Sequence, residues 1–120
     1  MNTKILGNDG EEAAANYLKK QGYVICARNY RVPVGEIDLI VNKNGTIIFV
    51  EVKTRRSLRC GEASLAVNFR KQQKIIRTAR WYIQQNNLDN KPCRFDVLEV
   101  YVIPSGGFSF NHLEGAFEVR

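Results

Sequence analysis

A chain of 120 residues has the size of one domain, because it can bury one hydrophobic core but not two, so we expect a single domain over residues 1–120. Hydrophobic residues make up 44% of the chain and charged residues 25%, which is typical of a folded globular protein and excludes a disordered one. The 18 Lys and Arg outnumber the 12 Asp and Glu, and this excess favours a polyanionic partner such as nucleic acid.

The cysteines and the first residues bear on the cellular compartment. Cys26, Cys60 and Cys93 are widely separated, and the only histidine is His112. These spacings exclude a structural zinc site and a disulfide framework, so we expect three reduced cysteines that pack as small hydrophobic side chains. The first residues lack an apolar run of signal-peptide length, and no segment has the hydrophobicity of a membrane span. We therefore expect a cytoplasmic protein without a membrane partner.

The hydrophobic pattern predicts two helices and five strands. Asn8, Asp9 and Gly10 have the composition of a helix start, and Gly22 ends that helix. The remaining elements, in chain order, are strands over 23–30, 36–41 and 46–53, a helix over about 69–85, a strand over 95–103 and a weaker extended segment over 108–119.

The order α-β-β-β-α-β, followed by a weaker strand, predicts the topology. Three sequential strands favour an antiparallel meander, and the second helix then crosses over to a strand that runs parallel to the third. We therefore expect an α/β fold in which a mixed β-sheet is flanked by helices.

The dipeptide Asn44-Gly45 between two β-branched runs is a strong signal for a two-residue hairpin turn. This turn fixes the register: Lys43 faces Thr46, Val41 faces Ile48, Leu39 faces Val50, Asp38 faces Glu51, and Glu36 faces Lys53. Because side chains alternate between the faces of a strand, four charged residues are expected on the face that carries Ile40 and Phe49 nearer the turn: Glu36, Asp38, Glu51 and Lys53.

Asp38 and Glu51, paired across two strands, would have Cβ atoms about 5 Å apart. At an effective dielectric constant of about 20 their repulsion is on the order of 3 kcal/mol, so either one carboxylate is protonated or a cation lies between them. Oxygen ligands without a nearby histidine or thiolate favour Mg²⁺ or Mn²⁺. Lys53, beside the same cluster, would orient an attacking water or stabilise charge on a phosphate.

The same residues have a simpler interpretation. Glu36 and Lys53 would form an ordinary cross-strand ion pair on a solvated face, while Asp38 and Glu51 point apart into water. A Glu-x-Lys sequence alone is common and indicates little.

The two hairpin strands also resemble a known family. Gly35-Glu36-Ile37-Asp38-Leu39-Ile40 and Phe49-Val50-Glu51-Val52-Lys53-Thr54-Arg55 are similar to the YraN-type family of uncharacterised bacterial proteins. The resemblance spans nearly the whole chain and includes these further residues: Gly10-Glu11, Tyr17-Leu18, Gly22-Tyr23, Asn29-Tyr30-Arg31, Val67, Lys71, Arg94-Phe95-Asp96, His112 and Ala116-Phe117.

That family is similar in pattern to the restriction-endonuclease-like superfamily, which includes archaeal Holliday-junction resolvases. The superfamily core is α-β-β-β-α-β, and its catalytic Asp and Glu-x-Lys correspond to Asp38, Glu51 and Lys53. The resemblance implies a Mg²⁺- or Mn²⁺-dependent endonuclease acting on DNA. It also suggests a homodimer, because resolvase-like enzymes must cut two strands. One position departs from the pattern, because Ile37 replaces the superfamily's proline before the aspartate.

Glu11 is the candidate for a third carboxylate at the metal. It has Ala14, Ala15 and Leu18 at i+3, i+4 and i+7, which places it on the inward side of the first helix. The resemblance supports this role, since resolvase-like enzymes place a first-helix glutamate at the metal site. The alternative is a capping box, because Asn8 and Glu11 have its spacing.

Cations cluster after Lys53 and along the second helix, where they would contact a phosphate backbone. Such residues are often only a solvated face. The candidates for nucleic-acid contact are Arg55, Arg56, Lys71, Gln72 and Lys74; Lys71 matches the family pattern, and Gln72 corresponds to a polar residue that related nucleases carry on this helix. Trp81 and Tyr82 are candidates for base stacking, but their spacing with Ile75 and Ile76 favours the core.

The sequence thus predicts a Mg²⁺-dependent nuclease that hydrolyses phosphodiester bonds of DNA, with branched DNA as one candidate substrate. Asp38, Glu51 and Glu11 would bind the metal, and Lys53 would position water. The alternatives are a nucleic-acid-binding module that keeps the fold but cuts little or nothing, and a scaffold whose basic faces bind an acidic protein.

Overall fold

Two helices and five strands follow one another in the predicted order. The computed structural model describes residues 3–56 and 67–119, with side chains described from residue 9 onward. The elements are α1 (Thr3–Lys20), β1 (Val24–Val32), β2 (Gly35–Lys43), β3 (Thr46–Arg55), α2 (Phe69–Gln85), β4 (Cys93–Val102) and β5 (Phe108–Phe117). The predicted bounds of the second helix are confirmed.

The strands form one mixed sheet in the order β1-β2-β3-β4-β5. All neighbouring strands are antiparallel except β3 and β4, which are parallel because α2 carries the chain back across the sheet. The predicted meander, crossover and α/β class are therefore confirmed. No helix in the described ranges is both long and apolar enough to span a membrane.

Each helix covers one face of the sheet, as the alternation of buried residues shows. Leu39 of β2 and Val50 of β3 pack beneath α1, whereas Ile40 and Phe49 pack beneath α2. Each of these side chains is at most 1% exposed. Burial of one such side chain contributes about 1.5–3 kcal/mol, so the two clusters fix the register of the strands.

The hairpin between β2 and β3 has the predicted turn. Asn44 and Gly45 both have positive φ angles, 54° and 87°, as a two-residue type I′ turn requires. The backbone pairs follow the predicted register as far as Leu39: Lys43 with Thr46, Val41 with Ile48, and Leu39 with Val50. The predicted pairs Asp38–Glu51 and Glu36–Lys53 are wrong, because the paired region ends at Leu39 and Val50.

Strand β2 is irregular at Asp38. Ile37 and Ile40 both lie in the cluster beneath α2, although residues three apart in a regular strand point to opposite faces. Across from Asp38 in β1, Asn29 has a φ of 51°, between the pairs Arg28–Leu39 and Tyr30–Ile37. The strand is therefore distorted where its aspartate lies.

The predicted start of α1 is wrong. The helix begins at Thr3, so Asn8 lies inside it and cannot form the capping box with Glu11. Gly10 is also internal to α1. A Cβ at this position would clash with Oγ1 of Thr54 in β3, so only glycine fits here. The glycine is a site of close approach between helix and sheet, and this packing outweighs its low helix propensity.

Two expectations about side-chain burial are also wrong. Cys26 and Cys93 are free thiols, as expected, but both are exposed and do not pack as small hydrophobic residues; Cys60 lies outside the described residues. Trp81 is 41% exposed on α2 rather than part of the core. Its neighbour Tyr82 does pack inward, with edge contacts to Tyr30 and Phe49 at centroid distances of 5.3 and 6.1 Å.

Candidate active site

A cavity of about 460 Å³ lies where β2 and β3 meet the first turns of α2. The strands supply its acidic wall and the helix its basic wall. The lining residues are Gly35, Glu36, Asp38, Glu51, Asn68, Arg70, Lys71, Lys74 and Ile75.

The start of α2 is fixed against this cavity by local contacts. The side chain of Asn68 caps the helix by accepting a hydrogen bond from the N–H of Lys71 at 2.9 Å. Gly35 permits close approach of the helix, since a Cβ there would lie 2.5 Å from Oγ1 of Thr78. The positive end of the helix dipole therefore lies beside the carboxylates, where it favours negative charge.

Asp38 is held where the two hairpin strands separate. Its Oδ2 accepts a hydrogen bond from the backbone N–H of Val52 at 2.8 Å. Burial, followed by the negative charge of Glu51, raises the pKa of Asp38 to about 7. Burial and the expected repulsion by Glu51 together favour the protonated form of Asp38 up to a pH of about 7.

Glu51 is 8% exposed and is neutralised by two lysines. The Nζ of Lys71 lies 2.9 Å from its Oε1, and the Nζ of Lys53 lies 3.7 Å from the same oxygen. Burial opposes the charged form of Lys71, but the hydrogen bond to Glu51 outweighs it and raises the pKa of the lysine. Burial lowers the pKa of Lys53, against the attraction of Glu51, which leaves its ammonium group the more readily deprotonated of the two.

The simpler interpretation of these residues is wrong in both its parts. Glu36 pairs with Arg31 on the neighbouring strand, with 3.2 Å between Oε2 and Nε. Lys53 pairs with Glu51 instead, and neither Glu51 nor Asp38 points into open solvent.

Glu11 of α1 faces the same group of carboxylates. Burial, followed by the charge of Glu36, raises its pKa, while Arg28 and a hydrogen bond from Asn29 lower it. Glu51 also acts on Glu11, and Glu11 contributes to the raised pKa of Asp38. The negative charges of the three predicted carboxylates therefore act on one another and help to raise the pKa values of Glu11 and Asp38. The close approach of Gly10 to Thr54 holds α1 near β3 and so keeps Glu11 within reach of the other two.

A metal fits two of these carboxylates better than three. Within residues 3–56 and 67–119, no three His, Cys, Asp or Glu side chains are grouped closely enough to hold one ion together. Asp38 and Glu51 line one cavity, and two hard oxygen donors are a usual protein contribution to Mg²⁺, which takes its other ligands from water and phosphate. The donor set therefore fits Mg²⁺ or Mn²⁺.

The predicted nucleic-acid contacts are not all at the cavity. Lys71 and Lys74 line it, whereas the side-chain amide of Gln72 donates to the carbonyl oxygen of Val67 at 2.9 Å and so fixes the approach to the helix. Arg55 ends β3 rather than lying in the following loop, and its Nε is buried without a hydrogen-bond partner among the described residues. Arg56 follows it and is exposed.

Two polar residues near the site were not assigned a role from the sequence. Asn68, the N-cap of α2, carried a recognisable signal, because Asn is favoured just before a helix. Glu99 carried none, since it lies within an apolar strand. It is 2% exposed and pairs in register with Lys53; Asn111 donates to its Oε1 at 2.7 Å, while Oε2 has no partner in the described part of the chain.

A second polar cluster is centred on Asp96, which is fully buried. Arg94 donates two hydrogen bonds to its carboxylate, both at 2.8 Å. His112 lies 2.7 Å from Oδ2, and the backbone N–H of Gly115 donates to Oδ1 at 3.0 Å. These contacts satisfy the carboxylate internally and join β5 to β4, so the cluster is structural.

The fold and site together define a class of protein. The five-stranded mixed sheet flanked by two helices is consistent with a restriction-endonuclease-like core, and Asp38, Glu51 and Lys53 occupy its two central hairpin strands. The chain belongs to a family described as "Uncharacterised protein family UPF0102", whose model matches residues 10–100. This confirms the YraN-type resemblance.

Relatives of the chain match over nearly its whole length. It is 46% identical over 117 residues to a UPF0102 protein of Clostridioides difficile, a match that covers 98% of this chain and 100% of that protein. It is 45% identical over 118 residues to a UPF0102 protein of Caldicellulosiruptor saccharolyticus, again covering 98% and 100%. A UPF0102 protein of Alkaliphilus oremlandii is 48% identical over 119 residues, with the same coverage.

Proposed function

We propose that this protein is a Mg²⁺- or Mn²⁺-dependent nuclease that hydrolyses phosphodiester bonds of DNA in the cytoplasm, with branched DNA as one candidate substrate. One observation carries the proposal. Asp38 and Glu51, two interacting carboxylates, share the wall of one cavity, and the Nζ atoms of Lys53 and Lys71 lie within 3.7 Å of Glu51. Paired carboxylates beside ammonium groups are suited to binding a cation and a phosphate together.

The acidic side of the cavity would hold the metal. Asp38 and Glu51 supply the oxygen ligands, and Glu11 adds negative charge from α1. When bound, the ion would supply Lewis-acid stabilisation of charge on the phosphate. Asp38 must lose its proton to become a ligand, so binding would be favoured above a pH of about 7.

Lys53 is suited to the chemical step itself. Its lowered pKa makes its ammonium group a better proton donor than an ordinary lysine. Lys53 does not itself line the cavity, but its Nζ lies 3.7 Å from Oε1 of Glu51, which does. It would donate a hydrogen bond to the attacking water or to a phosphate oxygen, where negative charge develops in the transition state.

The basic side of the cavity would hold the substrate backbone. Arg70, Lys71 and Lys74 line it from the first turns of α2, in a chain whose formal charge is +6. Arg55 and Arg56 would extend these contacts from the end of β3. Phosphate contacts of this kind hold DNA in register without selecting a sequence. Cutting both strands of a duplex would require two copies of the site, and therefore a homodimer.

A specific contact favours a second candidate, a nucleic-acid-binding module that does not cut. Lys71 already neutralises Glu51 at 2.9 Å, and Asp38 retains a proton near neutral pH. The carboxylate pair is therefore stable without a cation, as it would be in a protein that has kept the fold and lost the chemistry.

Cleavage assays with matched variants distinguish the two candidates. Purified protein would be incubated with single-stranded, duplex, flap and four-way-junction DNA in Mg²⁺, Mn²⁺ or chelator. We expect metal-dependent cutting that disappears in Lys53→Ala while DNA affinity is retained, because Lys53 acts in the transition state. Lys91→Ala, an exposed lysine after α2, is the control and should cut normally.

Each outcome of these assays favours or excludes one of the two candidate functions. Cutting that survives in Lys53→Ala would come from a contaminant. Tight binding of DNA without metal-dependent cutting on any substrate would exclude the nuclease and favour the binding module. Absence of any salt-sensitive affinity for DNA would exclude both.

A further inference from the structure

The outward side of α2 carries a straight row of cations that ends in an aromatic ring. Its members, Arg70, Lys74, Arg77 and Trp81, are spaced i, i+4, i+7 and i+11, and all four are exposed. At about 100° per residue they fall within about 60° around the helix. The opposite side carries the buried residues Ile75, Ile76 and Ala79. We call this row the α2 stripe.

The α2 stripe is continuous with the candidate active site. Arg70 and Lys74 line the site cavity, so the first half of the row belongs to both surfaces. Arg77 and Trp81 extend it away from the cavity. At about 1.5 Å per residue, Trp81 lies about 16 Å along the helix from Arg70.

Packing against the sheet does not account for Trp81. It is 41% exposed and is the only tryptophan of the chain. Its neighbour Tyr82 supplies the packing against the sheet, through ring contacts with Tyr30 and Phe49. An indole ring beside exposed cations presents a flat apolar surface on which a nucleic-acid base can stack.

We propose that the α2 stripe binds a single-stranded segment of DNA adjoining the active site, with Arg70, Lys74 and Arg77 on its phosphates and Trp81 stacked on a base. The ligand is single-stranded because the bases of a duplex are already stacked on one another, whereas an unpaired base has a free face. The inference rests on the proposed function in one respect, that the adjoining cavity takes DNA. It names the substrate class as DNA with an unpaired segment.

The single tryptophan makes the contact directly measurable. A 12-nucleotide single-stranded DNA and a duplex of the same length would each be titrated into the protein in chelator, while the emission of Trp81 is followed. Stacking should quench the emission with the single strand and leave it nearly unchanged with the duplex. Because no cleavage is needed, the readout is independent of the chemical step.

Two arginines of α2 provide a matched comparison. Arg77 lies within the stripe, whereas Arg80 is also exposed but lies about 60° around the helix from Arg77, on the side away from the other members of the stripe. Arg77→Ala should reduce the slope of log affinity against log salt by about 0.7, the value for one phosphate contact to a single strand. Arg80→Ala should leave the slope unchanged.

Replacement of the ring tests the stacking itself. With a labelled oligonucleotide, Trp81→Ala should weaken single-strand binding at least about fivefold, while Trp81→Phe, which keeps an aromatic face, should retain most of the affinity. Circular dichroism of both variants should match the wild type and unfolding should remain cooperative, because Trp81 is 41% exposed and lies outside the buried core.

Three results would overturn the proposal. They are equal quenching by duplex and single strand, equal losses in Arg77→Ala and Arg80→Ala, and burial of Trp81 in a dimer that Trp81→Ala dissociates. Failure of the proposed function looks different: Trp81 would still be quenched by single-stranded DNA in chelator, while no substrate is cut in the presence of metal.

Discussion

The Nζ of Lys71 lies 2.9 Å from Oε1 of Glu51, so a lysine from helix α2 neutralises a buried carboxylate of strand β3. The lysine therefore stands where a cation bound by Glu51 would place its charge. An ion at this carboxylate must displace the ammonium group or share the oxygen with it. The displaced group would remain at the cavity wall, where it is suited to contact a phosphate.

Replacing Lys71 with Met should raise metal affinity and lower DNA affinity. Removal of a positive charge beside Glu51 favours a bound cation, and we expect Mn²⁺ to bind on the order of tenfold more tightly, about 1.4 kcal/mol. Calorimetric titration with Mn²⁺ measures this change. Lys74→Met, on the same cavity wall, is the control for general charge loss. Unchanged or weaker Mn²⁺ binding in Lys71→Met would show that Glu51 is not a ligand.

The raised pKa of Asp38 predicts how stability depends on pH. Its pKa is about 7 in the folded protein, against an ordinary value of 3.8 for an aspartate, so between these values the folded state holds a proton that the unfolded state has lost. Stability is therefore greatest below pH 3.8 for this group and falls as the pH rises towards 7. Asp38→Asn removes this loss, and its amide oxygen can still accept from Val52.

We expect Asp38→Asn to exceed the wild type in unfolding free energy by about 2–4 kcal/mol at pH 8, with the difference vanishing near pH 4. Urea unfolding in chelator across this range provides the measurement. Glu36→Gln, an exposed carboxylate paired with Arg31, should change stability by less than about 0.5 kcal/mol at every pH. Equal stability of Asp38→Asn and wild type at pH 8 would refute the shift.

Asp96 should show the opposite pH dependence. Burial opposes its charge, but hydrogen bonds from His112, Arg94 and Gly115 outweigh it and lower its pKa. The stabilisation is present above the ordinary pKa of an aspartate, 3.8, and is lost as the pH falls through the lowered value. Asp96→Asn should cost about 3–5 kcal/mol at pH 7, because Arg94 loses its two hydrogen bonds to the buried carboxylate and keeps only the exposed Glu114 as an acidic partner. The cost should shrink below pH 4, and a constant cost in urea unfolding would contradict this account.

The sequence predicted most where one local rule determined the structure. The Asn44-Gly45 turn set the register of β2 and β3 as far as Leu39 and Val50. Beyond that point Asp38 and Glu51 do not pair across the strands, yet both line the same cavity. The sequence could not predict the distortion at Asp38, because that depends on Asn29 of a different strand. The prediction that Trp81 lies in the core was wrong because Trp81 is next to Tyr82, which does pack inward. The helical periodicity of hydrophobic residues alone does not decide which of two neighbouring aromatic residues faces the core.

The start of α1 was missed for a related reason. Helix propensity treats Gly10 as a weak helix former, whereas its role is defined by Thr54, which is 44 positions away in the sequence and in contact in the fold. A contact of this kind is invisible until the two elements are packed together. The same holds for Gly35 and Thr78 at α2, and these two contacts set both helices against the candidate site.

The contact between Gly10 and Thr54 yields a double-mutant test. Gly10→Ala should destabilise the protein by about 1–3 kcal/mol, since the added Cβ meets the Thr54 side chain and overpacking outweighs the better helix propensity of alanine. Thr54→Ala removes the two closest atoms, so the double variant should recover much of that loss. Urea unfolding of the four proteins gives the coupling energy, which we expect to be about 1–2 kcal/mol. Strictly additive effects would mean that α1 is not seated on β3 through this glycine, and Glu11 would then have no fixed position beside Asp38.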